Sequence, residues 1–256
     1  MNLDSQASNR AYEDELLAAI YDEDNPDGPD HDYFRELALE LSATRITDLG
    51  CGTGILTATL TGPGRTVVGI DPAEAMLEHA AARPGGDAVE WRLGTSELIE
   101  PDSSDLIVMS GNVAMHILGD AWTATLSDIS RGLRTGGVLA FEARNPLAQA
   151  WRNWNKPVQT RETAAGSLRE TTTTSAPDDE GIITMDSVNE FHDADQVISV
   201  SQRLQFRTFD TLRDDLSAAG MGVRDVWRNW DRTPFTGSAD EPLMIIEAVN
   251  ADDLHT

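Results

Sequence analysis

One cysteine and one lysine are all that this 256-residue chain holds of either, and each scarcity excludes something. Cys51 has no partner within the chain, so no internal disulfide can form, and the sequence reads as one for a reducing or redox-indifferent compartment. Lys156 is the single lysine among 19 basic residues, which stand against 44 acidic ones for a formal charge of −25. Clustered Lys and Arg are what release counterions from a phosphate backbone, so DNA and RNA are not expected as partners. No apolar run approaches the length that spans a bilayer, and no basic segment leads into an apolar stretch near the start. A cytoplasmic protein with no membrane partner is the expectation. The histidines lack any pairing with metal-ligand spacing: His31 lies in an acidic loop, His79 on a helix, His192 in a turn and His255 at the tail, so no metal is expected.

Against these absences stands the run Asp48-Leu49-Gly50-Cys51-Gly52-Thr53-Gly54. Residues 45–49 have the short apolar character of a buried strand and 55–60 that of a helix, which places the glycines at a strand-to-helix turn. A second apolar run, Val67-Val68-Gly69-Ile70, ends in Asp71, 21 residues after Gly50, where a doubly wound nucleotide fold puts its ribose-binding carboxylate. The third glycine comes one residue earlier than in a dinucleotide fingerprint. Asp48 at the strand end would repel a pyrophosphate but attract a ligand carrying an ammonium and a sulfonium. S-adenosylmethionine is such a ligand.

With these residues the chain resembles the class I S-adenosylmethionine-dependent methyltransferases, over roughly residues 45–145 and again near the C-terminus. Asp105-Leu106-Ile107-Val108-Met109-Ser110 is similar to that family's fourth strand, and Leu133-Arg134-Thr135-Gly136-Gly137-Val138-Leu139-Ala140-Phe141-Glu142 to its turn into the fifth. The resemblance implies an α/β fold: a doubly wound, Rossmann-like, seven-stranded, mostly parallel sheet. It also implies that Gly50, Cys51, Gly52 and Gly54 let the methionine part of the cofactor lie against the backbone, that Asp48 draws its ammonium and that Asp71 accepts the ribose hydroxyls. Pro72 and Met76, with Ile70, would pack on adenine, although Met76 reads equally as helix packing. Thr95, Ser96 and Glu97 replace the Gly-Asp pair that many members carry at the adenine edge, and Ser110 ends the fourth strand beside the cofactor. Tyr21, in a Tyr-Asp pair similar to one in the family's N-terminal cap, is expected to close the cofactor pocket or simply to dock its helix.

Residues 1–44 read as that helical cap, 45–145 as the core, 146–208 as a β-rich insertion and 209–256 as the return to the core sheet. Within the insertion, 166–175, 182–191 and 197–208 are rich in threonine, valine, isoleucine and serine and read as a three-stranded antiparallel meander, a substrate lid or a dimerisation flap. Trp151-Arg152-Asn153-Trp154 and Trp227-Arg228-Asn229-Trp230 echo one another. Their four indoles would either form an aromatic wall for a flat or cationic acceptor, with Trp151, Trp154, Trp230 and Asn112 as substrate contacts, or pack lid against core.

Neither an Asn-Pro-Pro-aromatic tetrad after the fourth strand nor a Pro-Cys pair is present, which disfavours base amino methylation and the covalent cytosine route. Direct in-line attack on the methyl by an O, N or C atom of a small-molecule acceptor remains, a reaction in which orientation is worth roughly 7–11 kcal/mol. His116, after the fourth strand, is the candidate general base, or a helix-start residue with a packing role. Two other classes stay open: an NAD(P)-dependent oxidoreductase and a non-catalytic S-adenosylmethionine-binding protein.

Overall fold

The structure, a computed structural model, describes residues 11–253, so the tail histidine His255 lies outside the described residues. The apolar run Arg45–Leu49 is strand β1, buried at its last four positions because it lies inside a sheet. Its neighbour β2 (Thr66–Asp71) runs parallel to it, and β3 (Glu90–Leu93) extends the sheet from β2 as the edge. On the other side of β1 come β4 (Ser104–Met109) and β5 (Leu133–Arg144), both parallel. The chain then forms β6 (Lys156–Thr163), β7 (Gly166–Thr174), β8 (Ile182–Phe191) and β9 (Gln196–Gln205), a separate antiparallel sheet paired in chain order. It returns as β10 (Met221–Trp227) and β11 (Leu243–Asn250), the latter lying antiparallel between β5 and β10. The large sheet therefore reads β10-β11-β5-β4-β1-β2-β3, a seven-stranded, mostly parallel, Rossmann-like arrangement.

The helices are α1 (Glu15–Asp24), α2 (Pro29–Glu40), α3 (Glu74–Ala82), α4 (Val113–His116), α5 (Gly119–Gly132) and α6 (Phe209–Ala218). Asp14 caps α1, its carboxylate accepting from the Leu16 and Leu17 amides, and Pro29 opens α2 with a preset backbone angle. Strand alternation sorts the core into two sides. Leu139, Phe141 and Ala143 of β5 face Trp122, Leu126 and Ile129 of α5 and Leu212 and Leu216 of α6, whereas Val138 and Ala140 face Tyr33, Phe34 and Leu37 of α2. The α2 side also receives Ile46 of β1 and Leu106 and Val108 of β4. By the same alternation Asp48, Ser110 and Glu142 lie on that side, at the carboxyl ends of three adjacent strands.

Two expectations are corrected. Residues 55–60 form only a short 3₁₀ turn over Thr57–Leu60, because Thr59 and Thr61 donate their hydroxyls back to the Leu56 and Ala58 carbonyls and Gly62-Pro63-Gly64 follows. The insertion has four strands rather than three. The extra one, β6, is an edge strand with Lys156 and Pro157 at its start and no fully buried position, so it carries no alternation to read.

Candidate active site

The turn after β1 is tied to the end of β2. The Gly50 and Cys51 amides both donate to the Ile70 carbonyl, at 2.7 and 3.2 Å, and the Gly52 amide donates to Asp71 Oδ2 at 2.9 Å. Gly50 and Gly52 adopt φ of +75° and +52°, and a Cβ on Gly50 would lie 2.5 Å from the Val113 side chain, so this turn admits no larger residue there. Asp71 is buried and its other oxygen accepts the Ala73 amide at 2.9 Å. Burial pushes its carboxyl up while the two amides pull it down. Each oxygen retains a lone pair for a hydroxyl donor.

Two further buried carboxylates mark the α2 side of the strand ends. Asp48 Oδ2 accepts the Thr57 hydroxyl at 2.6 Å, and its Oδ1 has no partner. Burial raises this carboxyl to about 6, opposed by the Thr57 hydrogen bond and the imidazole of His31. Glu142, 3% exposed, accepts the Asn112 amide on Oε1 at 2.6 Å, and its Oε2 has no partner. Burial raises it to about 7, opposed by the Asn112 amide and the Arg144 guanidinium. Asn112 itself sits at φ +64° and receives Arg144 Nε on its Oδ1 at 2.8 Å, so the loop leaving β4 is pinned from β5.

The N-terminal segment closes over this floor. The Tyr21 ring reaches within 3.8 Å of the position a Gly52 Cβ would take, and its hydroxyl within 4.0 Å of that of Gly111. Tyr12 stands edge-on to Tyr21, centroids 6.1 Å apart, and to His116 at 5.8 Å, with its Oη 3.4 Å from His116 Nε2. His116 Nδ1 is buried without a partner, and burial drags the imidazole down to about 4, so it is neutral at pH 7. Tyr12 is pushed up to about 12, chiefly by burial and against a hydrogen bond with Gln202 of β9, which brings the insertion to the same point.

A glycine turn between β1 and β2, a carboxylate ending each of those strands, and the sheet order β10-β11-β5-β4-β1-β2-β3 agree with what known proteins show. Residues 46–137 match a family model described as a methyltransferase domain. This chain carries a class I S-adenosylmethionine-dependent methyltransferase domain. The domain is 31% identical over 116 residues to a ubiquinone biosynthesis O-methyltransferase of Bradyrhizobium sp. (strain ORS 278), covering 44% of this chain and 43% of that protein. The chain thus spans less than half the length of the curated relatives it matches. By fold, the whole chain is similar to the CcbJ methyltransferase of Streptomyces caelestis, with a TM-score of 0.74 at 21% identity over 96% of this chain and 99% of that one. It is also similar to S-adenosylmethionine-bound CalS10, an amino pentose methyltransferase of Micromonospora echinaspora, with a TM-score of 0.60 at 16% identity over 88% and 93%.

The residues of this methyltransferase domain fit S-adenosylmethionine, the cofactor of such domains. The unpartnered Asp48 Oδ1 suits an ammonium, and Asp71 retains lone pairs for a ribose diol. Pro72 is exposed after Asp71, whereas Met76 is 1% exposed and packs with Ala18, Ala73 and Ala75 beneath Tyr12 and Tyr21. Cys51 is buried, which pushes its thiol well up and away from reactivity. Gly54 packs against Trp91. Thr95 and Glu97 are exposed, and the Ser96 hydroxyl donates to Asp128 Oδ2 at 2.8 Å, with Thr125 Oγ1 at 3.2 Å, so α5 occupies it.

The four indoles form no common wall. Trp151 and Trp154 pack on Phe206 at 4.8 and 5.4 Å beside Met115, Ile183 and Leu204, joining the insertion to the core. Trp230 packs on Tyr33 and Phe34 of α2, and Trp227 donates to Glu247, which also takes the Tyr33 hydroxyl. A surface cleft of about 450 Å³ touches Trp151, Arg152 and Thr174, but no residue of the glycine turn lines it. His31, read as a loop residue, is buried in the first turn of α2 and acts on Asp48. Glu142 is the site residue to which the motifs assign no role, although it stands out as the one charged residue in the apolar stretch 138–143.

Proposed function

We propose that this chain transfers a methyl group from S-adenosylmethionine to an O, N or C atom of a small-molecule acceptor by direct in-line attack. The observation that carries the reading is the unpartnered Asp48 oxygen beside a glycine turn whose Gly52 amide is held by Asp71. S-adenosylmethionine supplies an electrophilic methyl: the acceptor's lone pair forms the new bond to carbon while the old bonding pair stays on sulfur, leaving S-adenosylhomocysteine. Asp48 holds the ammonium, Asp71 the ribose, and Tyr21 covers the turn. Ser110, Asn112 and His116 follow β4 where the acceptor enters. His116, kept neutral by burial, accepts or donates a hydrogen bond through Nδ1 but stores a proton poorly at pH 7.

The amino pentose methyltransferase among the fold neighbours and the O-methyltransferase among the curated relatives both act on small molecules by name, which supports that acceptor class. The net charge of −25 argues against nucleic acid, and the lone, buried Cys51 agrees with a cytoplasmic setting. No described helix is long and apolar enough to cross a membrane. Calorimetric titration with S-adenosylmethionine, S-adenosylhomocysteine and NAD tests the reading: the first two should bind tightly and lose affinity in Asp71→Ala. Binding of NAD alone would restore the oxidoreductase alternative. Cofactor binding without S-adenosylhomocysteine formation from any acceptor would leave a non-catalytic binding protein.

A further inference from the structure

Among the described residues four buried side-chain polar atoms lack a hydrogen-bond partner, and three surround this site: Asp48 Oδ1, His116 Nδ1 and Glu142 Oε2. A buried oxygen left open is costly unless something binds it, and a carboxylate oxygen more so. Asp48 adjoins the glycine turn and is matched to the cofactor's ammonium. Glu142 lies on the same face two strands away, with β4 between, a separation of roughly 10 Å at the ordinary strand spacing. One small cation cannot serve both. The Glu142 oxygen is therefore free for a second donor, on the side where the loop 110–116 leaves β4.

We infer that Glu142 Oε2 is the recognition point for an ammonium group on the acceptor, so that the substrate class is a primary or secondary amine whose proton passes to Glu142. This rests on the methyltransferase reading and narrows it. The groups facing Glu142 agree with a cationic guest. Asp30 of α2 repels its charge, the Tyr21 phenol of α1 lies close enough to feel it, and Arg144, the nearby cation, is engaged with Asn112. In the step itself an N–H bond of the acceptor breaks and leaves its pair on nitrogen, an O–H bond forms on Oε2, and the freed pair is the nucleophile.

Charge separates amines from alcohols. An alkylammonium carries a positive charge for the carboxylate to bind and must give up a proton before its nitrogen has a pair to attack with, whereas an alcohol brings no charge and already has its lone pairs. A phenol matches the amine in acidity, but its anion would be repelled by Glu142, Asp48 and Asp71 where the ammonium is attracted.

The test uses Glu142→Gln, in which a side-chain carbonyl still accepts the Asn112 amide while the second oxygen becomes an NH₂ donor. Protein loaded with S-adenosylhomocysteine is titrated calorimetrically with matched amines, alcohols and phenols: glucosamine and glucose, cyclohexylamine and cyclohexanol, benzylamine and p-cresol. At least one amine should bind tenfold or more tightly than its hydroxyl counterpart, and Glu142→Gln should erase that preference while changing cofactor affinity less than twofold. Methyl transfer to that amine should fall in parallel. Equal binding of a hydroxyl compound, an unchanged amine affinity in the variant, or no amine bound at all would overturn the proposal. Failure of the methyltransferase reading would look different: neither S-adenosylmethionine nor S-adenosylhomocysteine would bind, and Glu142-dependent amine binding would then be sought on the free protein.

Discussion

Asp48 and Glu142 are ionisable groups held where charge is expensive, and that has a sign that can be measured. Their folded values, about 6 and about 7, exceed the ordinary 3.8 and 4.5, so the native state prefers them protonated. Their favourable contribution is fully present below pH 4 and is lost as pH rises through those values. Glu142→Gln should therefore gain stability over the wild type between pH 4.5 and pH 8, by up to about 3 kcal/mol, read from urea midpoints at each pH. A difference that stays flat with pH would mean the carboxylate is not held as described. An arriving ammonium should push Asp48 back to its charged form, so S-adenosylmethionine binding at pH 6 should release up to about half a proton, visible as a dependence of binding heat on the buffer's ionisation enthalpy. Asp48→Asn should abolish that dependence. Tyr21 lies over the glycine turn while Tyr12 packs edge-on against Tyr21 and His116, so Tyr21→Ala should weaken cofactor binding more than Tyr12→Ala; equal, small losses would remove Tyr21 from the pocket.

At the scale of elements, α1 works as a clasp, because three successive carboxylates at its end point to different parts of the molecule. Asp22 takes the Thr53 hydroxyl and pairs with Arg83, whose Nε donates to the Thr53 carbonyl, fastening α1 to the glycine turn. Glu23 accepts the Ala164 amide and Asp24 takes Arg161 through both oxygens, fastening it to the β6–β7 hairpin, where Arg161 also pairs with Glu170. Beneath these pairs Ile20 packs with Leu168 and Phe191 of the insertion. The insertion and the cofactor turn are thus coupled through one helix. Arg161→Ala removes partly exposed ion pairs to Glu23, Asp24 and Glu170, so it should cost about 1 kcal/mol of stability by urea denaturation. Hydrogen exchange should rise in both 15–24 and 156–174, and a rise in the hairpin alone would show that the two ends are not linked. Leu168→Ala empties the fully buried centre of that cluster and should cost 2–5 kcal/mol by urea denaturation.

For the molecule as a whole, 44 acidic against 19 basic residues means that like-charge repulsion opposes the compact state. Screening acts over about 10 Å at 0.1 M salt, so thermal midpoints should climb as sodium chloride rises from 0.02 to 0.5 M; a fall would mean that the surface ion pairs outweigh the repulsion. The features legible along the chain were those written in neighbouring residues. The apolar run 45–49 before Asp48-Leu49-Gly50-Cys51-Gly52, and the run ending in Asp71, specify strand, turn and cofactor contacts within a few residues of one another. The doubly wound sheet followed because alternating strands and helices have one favoured way to pack. Tertiary structure alone decided whatever depended on distant groups meeting. Strand β6 has no buried face and gains its order from pairing with β7, so periodicity could not reveal it. The echoing tryptophan pairs parted because one packs on Phe206 between core and insertion and the other on α2, surroundings that identical short motifs cannot encode. The 3.4 Å approach of Tyr12 to His116, and the open oxygen of Glu142 two strands from Asp48, exist only once sheet, cap and insertion exclude water from the same spot. The residue types were fixed by the chain, but their burial, and with it their protonation, belongs to the folded molecule.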